Sequence, residues 1–303
     1  MEKIRGLIIH NLKKDKGQYL SFGIIILLTA FILNLALVLS FQMDSAYDKK
    51  SGYLNTAELY FCIPKVQDTD SLKKELLDLK GVEKIESREG IFTFAVMKEF
   101  RGVDFGMNTI FYNIDEIHEL NQYEFIEESS KAFETSVAIP LFVAEFGEYK
   151  LEDEIVYEVD GNEYAFHVAG ILEEMQYGNA GSGLMCAYLP ENSYQAFAKE
   201  KEGNQIIEYS LMLKGDVNEM KSEIKKILSD KKIHLISMLD SASAKQTRTM
   251  VCDLTVFILM AFSFVVLLVS MFLCKFRIQN SIEEEITHMG VLKAMGYTGT
   301  MIL

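Results

Sequence analysis
The chain has 303 residues, is 49% hydrophobic, and carries 44 acidic against 30 basic side chains, a formal charge of −14. That excess of acid argues against nucleic acid or anionic lipid as a ligand of its charged part, since both need a basic surface. Its four cysteines need not form a disulfide framework, because a domain of about 200 residues can bury its own core.

In chain order, the first predicted element is an amphipathic helix. Ile4, Leu7, Ile8 and Leu12 share one face opposite Lys and Asn, which reads as an interfacial helix over residues 1–18. Lys13-Lys14-Asp15-Lys16-Gly17 turns it toward the membrane. Residues 19–41 are an uncharged apolar run, long enough to cross a bilayer and too long for a signal peptide. A second uncharged run covers residues 254–274. The basic cluster before the first run places the N-terminus in the cytoplasm, so residues 42–253, with 22 bases and 39 acids, lie outside. Residues 275–303 return to the cytoplasm behind Lys275 and Arg277.

The outer part begins with a polar helical stalk, 42–52. A strand over Glu58–Ile63 follows, then a helix over Ser71–Lys80 capped by Thr69 or Asp70 and stopped at Gly81. Val82–Ser87 and Ile91–Met97 read as two further strands. A second β-α-β unit comprises Gln205–Lys214, Asp216–Ser229 and Lys232–Met238. Between the two units, residues 113–202 read as a mostly β subdomain. Its strands are Val137–Leu141, Glu154–Val159, Glu163–Ile171 and Leu184–Leu189, with a hairpin turn at Asp160-Gly161. A second stalk, 241–253, leads into the second run.

None of the chemistry-bearing residues forms a catalytic pattern. Gly178-Asn179-Ala180-Gly181-Ser182-Gly183 lacks the Gly-Lys-Ser/Thr of a phosphate loop and the spaced glycines of a nucleophile elbow, and reads as a surface loop. His10, His118, His167, His234 and His288 share no metal-ligand spacing. Glu127-Glu128, Glu152-Asp153-Glu154 and Glu173-Glu174 are adjacent acids, which a strand would point to opposite faces, and they read as solvated. Cys62 and Cys186 are either buried thiols or a bridge. Asn34 within the first run is expected to bond another helix, and Asp253 to sit at the interface near Lys245 and Arg248. No catalytic, cofactor-binding or metal residue is assigned.

Just inside the second run lies Ser281-Ile282-Glu283-Glu284-Glu285-Ile286-Thr287-His288-Met289-Gly290-Val291-Leu292-Lys293-Ala294-Met295-Gly296-Tyr297-Thr298. By itself this is a short surface helix that Gly296 can end, its acidic start and later lysine suiting the helix dipole. Gly290 through Thr298 resembles the cytoplasmic signature of the FtsX-like/MacB-like permeases of ABC transporters. Thr287-His288-Met289 departs from the Glu-Ile usual before that glycine, and Leu151-Glu152-Asp153 lacks a customary glycine. The order of the elements is also similar to that family.

The resemblance implies a membrane protein with two α-helical spans and an α+β extracytoplasmic domain. That domain would be a MacB-like core with a porter-like β-α-β layer (53–112 and 203–240) and an inserted β-rich subdomain (113–202). It further implies that 275–303 begins the permease domain, with Glu285, Gly290, Val291, Leu292, Lys293, Ala294 and Gly296 contacting a separate nucleotide-binding ATPase. The other implied partners are a second permease subunit or copy, membrane lipid, and a peptide, lipid or protein outside the cell. On this reading the chain has no enzymatic activity of its own. It transmits motion or exports a substrate, and lacks the further spans of a complete permease. The competing expectation is a two-span sensor, or a scaffold controlling an envelope enzyme.

Overall fold
The apolar runs fold as parts of two very long helices. In the computed structural model, which describes residues 16–65, 69–177, 181 and 183–294, α1 extends over Lys16–Tyr53 and α6 over Ser241–Ala294. Lys16 and Gly17 belong to α1 rather than to a turn, because nothing in the following apolar sequence interrupts the helix. The expected helix over 1–15 lies outside the described residues. Both stalks are uninterrupted continuations of these helices. The tail up to Ala294 likewise continues α6, in place of the short separate helix expected there. Gly290 costs too little helix propensity to break a run this long.

The chain divides into two units, Met1–Asp44 with Val251–Leu303, and Ser45–Met250. Among the described residues two helical segments, Gly23–Tyr53 and Ser241–Asn280, are long and apolar enough to cross a membrane. Only 11% and 17% of their most apolar windows are buried, which is not how the core helix of a soluble protein behaves. Covered positions in this part of α1 are Ile25, Thr29, Ile32, Ala36, Leu39 and Ser40. In α6 they are Cys252, Val256, Leu259, Ser263, Val266, Ser270 and Cys274. Spacings of three and four place them along one side of each helix. The best-covered positions are mostly small (Thr29, Ala36, Ser263, Ser270), which lets the helix backbones approach closely.

The second unit is built on ten strands. Its first half runs β1 (Leu59–Pro64), α2 (Thr69–Leu77), β2 (Val82–Phe100) and β3 (Val103–Asn113). Then come β4 (Glu124–Glu128), β5 (Ser136–Pro140), α3 (Leu141–Gly147), β6 (Glu154–Val159), β7 (Asn162–Glu173), β8 (Leu184–Leu189) and α4 (Glu191–Glu200). The last elements before α6 are β9 (Gln205–Leu213), α5 (Val217–Asp230) and β10 (Ser237–Asp240).

Strands β10, β1, β9 and β2 lie side by side, all antiparallel. The two β-α-β units therefore interleave, β9 lying inside one and β1 inside the other. Helices α2 and α5 cover one face: Leu72, Leu76, Met220, Ile224 and Leu228 bury Leu59, Phe61, Ile207, Tyr209 and Leu211. Asp216 caps α5 by accepting from the backbone N–H groups of Asn218 and Glu219.

The segment 113–202 does not form a sheet of its own. Pairing runs β2–β3–β8–β5–β7–β6 and back to β2, a closed ring that shares β2 with the first layer and also takes in β3, from before the segment. Ile91, Ala95, Met97, Phe111, Val137, Ile139, Ile155, Tyr157, Val168 and Met185 belong to its common core, and Val143 of α3 with Tyr194 and Phe197 of α4 complete it. The hairpin at Asp160-Gly161 has φ of 53° and 79°, the double positive value of a type I′ turn.

Two expected elements are corrected. Val82–Ser87 and Ile91–Met97 are one 19-residue strand that passes through Gly90. A Cβ at Gly90 would lie 2.8 Å from Ile110 Cγ2 and 3.0 Å from Tyr112 Cε1, so the glycine lets β3 side chains lean across β2 without interrupting it. The final strand is Ser237–Asp240, not Lys232–Met238. Lys232 takes φ of 58°, the Ile233 amide bonds back to Leu228, and Ile233 and Leu235 pack on the helical layer instead of pairing. Strands β3 and β4 and helices α3 and α4 carry too little periodicity to have been predicted.

Gly90→Val is expected to destabilise the protein by about 1–3 kcal/mol through overpacking. Thermal unfolding of the detergent-solubilised chain, compared with Gly102→Val at an open turn as a control for strain alone, checks it.

Candidate functional site
The predicted coupling residues fall at the end of α6. Gly290, Val291 and Ala294 are exposed there. Glu285, Leu292 and Lys293 belong to the same helix, and Gly296 lies outside the described residues. Gly178, Asn179, Ala180 and Ser182 of the glycine-rich loop also lie outside them.

A more elaborate construction sits where the stalks join the second unit. Glu173, the last residue of β7, receives two cations from two helices. Arg248 Nη2 of α6 lies 2.6 Å from Glu173 Oε1, and Lys50 Nζ of α1 lies 3.4 Å from Oε2 while also pairing with Glu124. Lys245 of α6 reaches Asp48 of α1 at 2.8 Å, and the Tyr47 hydroxyl donates to the Ser241 carbonyl at 3.2 Å. Burial pushes the Tyr47 hydroxyl up to about 12, so it remains a donor. Tyr47, Leu54 and Met175 form a small apolar cluster beside these ion pairs. The α6 N-terminus is fixed by Asp240, which accepts from Ser243 N at 2.7 Å and pairs with Lys221. Burial alone would raise the Asp240 carboxyl, but the bonds from Lys221 and Ser243 outweigh it and hold the group below its ordinary range.

From this junction a polar chain leads into the sheet. Arg248 Nη1 donates to the Glu174 carbonyl at 2.7 Å. The Glu174 side chain is 1% exposed, which corrects the expectation that Glu173-Glu174 is solvated. It turns inward because the chain bends after β7, letting it accept the Gln176 and Tyr177 amides, each at 2.7 Å. Burial raises its carboxyl, partly opposed by these amides and by Arg248 and Arg88.

Gln176 connects to the centre of the network. Glu208 of β9 stands opposite Cys62 of β1 and Arg88 of β2 in the strand register, and is completely buried. Arg88 Nε donates to Glu208 at 3.2 Å, Gln176 Nε2 at 3.0 Å, Tyr112 OH at 2.7 Å, Tyr177 OH at 2.8 Å and Ser210 Oγ at 3.3 Å. Ser210 in turn accepts from Asn121 Nδ2 at 2.7 Å, and Gln176 Oε1 accepts Arg88 Nη2 at 2.8 Å. The Arg88 guanidinium lies 3.5 Å from the Tyr112 ring centroid. Every bond has a consistent donor and acceptor, so the carboxylate is fully solvated by protein. Burial pushes the Glu208 carboxyl up, but Arg88 and the hydrogen bonds outweigh it and hold it below its usual range. The Cys62 thiol, beside Glu208 and buried, is raised to about 12.

Cys62 and Cys186 are free, buried thiols, which decides that alternative against a bridge. His167 stacks on Phe133 at 4.7 Å in a structural contact. Among the described residues no group of three or more His, Cys, Asp or Glu side chains could hold a metal ion. The Glu208 network was not predicted, because Ile206-Ile207-Glu208-Tyr209-Ser210 alternates like a strand with one wet face. The missing signal was Arg88 in an opposing strand.

No family model matches the sequence, and no curated protein matches it. Among solved structures the chain is similar to a domain of a protein described as a permease from Porphyromonas gingivalis, at 11% identity and a TM-score of 0.32 over 61% of this chain and 90% of that one. It is similar to the periplasmic region of MacB from Actinobacillus actinomycetemcomitans, at 11% identity and a TM-score of 0.30 over 67% and 97%. A protein described as a lipoprotein from Bacillus anthracis aligns at 10% identity and a TM-score of 0.32 over 60% and 95%. Likenesses this shallow assign no activity to the chain.

Glu208→Gln is expected to cost about 3–5 kcal/mol, because it leaves the Arg88 charge buried without its counter-ion. Arg88→Met with Glu208→Leu should cost less than the sum of the single changes. Thermal unfolding of the four forms in detergent measures the coupling. The pH dependence follows from the lowered Glu208 carboxyl. Its contribution is fully present above the unfolded carboxylate range of about 4.3 and is lost as pH falls through the lower folded value. Unfolding midpoints recorded from pH 7 to pH 3 should therefore fall more steeply for the parent than for the double variant.

Proposed function
We propose that this chain is a transmembrane (permease) subunit of an ABC transporter, in which a separate ATPase drives motion of an extracytoplasmic domain. The observation that carries the reading is continuity. Helices α1 and α6 each run unbroken from a membrane-length apolar segment into the Ser45–Met250 unit. There Lys50 and Arg248 both end on Glu173. A helix is stiff along its axis, so displacement of the apolar segments reaches β7 and, through Glu174 and Gln176, the buried pair Glu208–Arg88. The output is movement of the outer domain, as mechanotransmission or as export.

The other end of α6 supplies the input. Gly290-Val291-Leu292-Lys293-Ala294 continues the helix beyond the apolar segment and resembles the coupling signature of FtsX-like/MacB-like permeases. The basic residues of 1–18 support a cytoplasmic N-terminus and tail, with 42–253 outside the cell membrane. On this reading ATP hydrolysis belongs to the partner, and the chain itself catalyses nothing.

The test is recovery of the nucleotide-binding partner from detergent extracts, identified by its ATP-binding sequence in mass spectrometry. The parent chain should retain it, whereas Gly290→Pro, which breaks the helix, and Lys293→Glu should lose most of it. Equal recovery with all three forms would falsify the coupling role of the tail.

A further inference from the structure
The Ser45–Met250 unit holds an open cleft of about 280 Å³ beside β7, bordered by β4, β5 and the end of β8. Three aromatic rings wall it. Tyr123, just before β4, has its ring centroid 5.1 Å from that of Tyr188 in β8 and 5.6 Å from that of Phe125 in β4. The interplanar angles are 54° and 81°, so the rings stand at steep angles to one another and do not stack. Phe125 lies on the bare backbone of Gly170, where a Cβ would come within 2.5 Å of its Cε1. Both ladders flanking β7 slip at this place. Phe125 stands opposite Leu172 but Glu127 opposite Ile171, and Val137 stands opposite Val168 but Ala138 opposite Gly170. Such bulges re-aim side chains, and Phe125, Val137, Ala138 and Gly170 all line the cleft.

The charge on the cleft has one sign. Asp115 and Glu128 line it, and among the described residues no Lys, Arg or His does. Asp115 Oδ2 accepts the Glu191 amide at 2.8 Å, the Glu128 side chain makes no hydrogen bond, and neither carboxylate is in an ion pair among the described residues. Burial and then the charge of Asp115 push the Tyr123 hydroxyl up, opposed by Arg88 and joined by Glu128. It stays protonated and donates to the Ile114 carbonyl at 2.8 Å. We propose that this cleft binds a small organic cation carrying a methylated ammonium group, its methyls against Tyr123, Phe125 and Tyr188 and its charge facing Asp115 and Glu128. Ring faces attract cations, most effectively those that shed water easily, and the two unpaired carboxylates add the same preference. The cleft is smaller than the roughly 300–1,000 Å³ of drug-sized sites, so the ligand is small. A phosphate attached to the ammonium group would find no counter-charge there, so the cation is a free one and not a lipid headgroup. The inference does not rest on the transporter reading.

The experiment titrates the full chain in maltoside detergent, which carries no ammonium group, with choline, and follows the ligand methyl signal by saturation-transfer NMR. Choline should bind saturably and be displaced by tetramethylammonium. Its neutral analogue with carbon in place of nitrogen should displace it poorly. Tyr123→Leu should weaken choline binding about three- to thirtyfold and Glu128→Gln about two- to fivefold, whereas Tyr123→Phe should bind as the parent does. Glu128 is exposed, so Glu128→Gln should unfold at the parent's temperature and report on binding alone. Absence of saturable binding, equal affinity for the neutral analogue, or indifference to both Tyr123→Leu and Glu128→Gln would each overturn the proposal. Tighter binding of glycerophosphocholine than of choline would overturn it in favour of a lipid headgroup.

Discussion

The buried ion pair of Glu208 and Arg88 is the constraint around which the Ser45–Met250 unit is organised. A carboxylate with no exposure is tolerated only when its lone pairs are filled and a counter-charge is close. Here Arg88, Tyr112, Gln176, Tyr177 and Ser210 meet that demand from three strands and the turn after β7. Sliding β9 or β2 by one residue would turn Glu208 or Arg88 to the other face, where Tyr209 and Leu211 lie. The pair therefore acts as a registration mark for β9 and β2. It also fixes the bend that presents Glu173 to the two stalks.

The stalk contacts are of a different kind. Lys50, Arg248 and Glu173 are partly exposed, with side-chain exposures of 27%, 17% and 22%, so solvent screens them and each pair contributes modestly. That suits a junction. Partly solvated ion pairs can exchange partners at low cost, whereas the network behind them cannot be rearranged without stranding a charge. The order of strength within the Ser45–Met250 unit is therefore soft at the helices and hard within the sheet.

Legibility in the sequence followed locality. Strands β6 and β8 could be read to the residue because turn signals bracket them, and α5 to within one residue at each end because Asp216 caps a regular apolar stripe. The long strand β2 was divided in reading because Gly90 looks like punctuation. Only the approach of Ile110 and Tyr112 from β3 shows why a glycine belongs mid-strand. The ring closed by β6 was invisible for the same reason: its closing pair, β2 with β6, joins residues 60 to 64 positions apart. Glu174 reads as a solvated acid because its partners are distant in sequence, and nothing near Glu208 marks it for burial. The coupling residues of the tail were legible only through resemblance, since nothing in their own spacing specifies a binding surface.

Strand β2 has a mechanical consequence. Its first half is bonded to β9 in the open layer and its second half to β3 and β6 in the closed ring. Nineteen residues at about 3.3 Å each make it roughly 60 Å of continuous extended backbone. Ladder bonds lie across the strand direction, so tension along β2 loads many of them together in shear, rather than peeling them one at a time. A pull delivered to one half of the Ser45–Met250 unit is thus felt by the other as translation of a nearly inextensible tie, not as a loosening of either half.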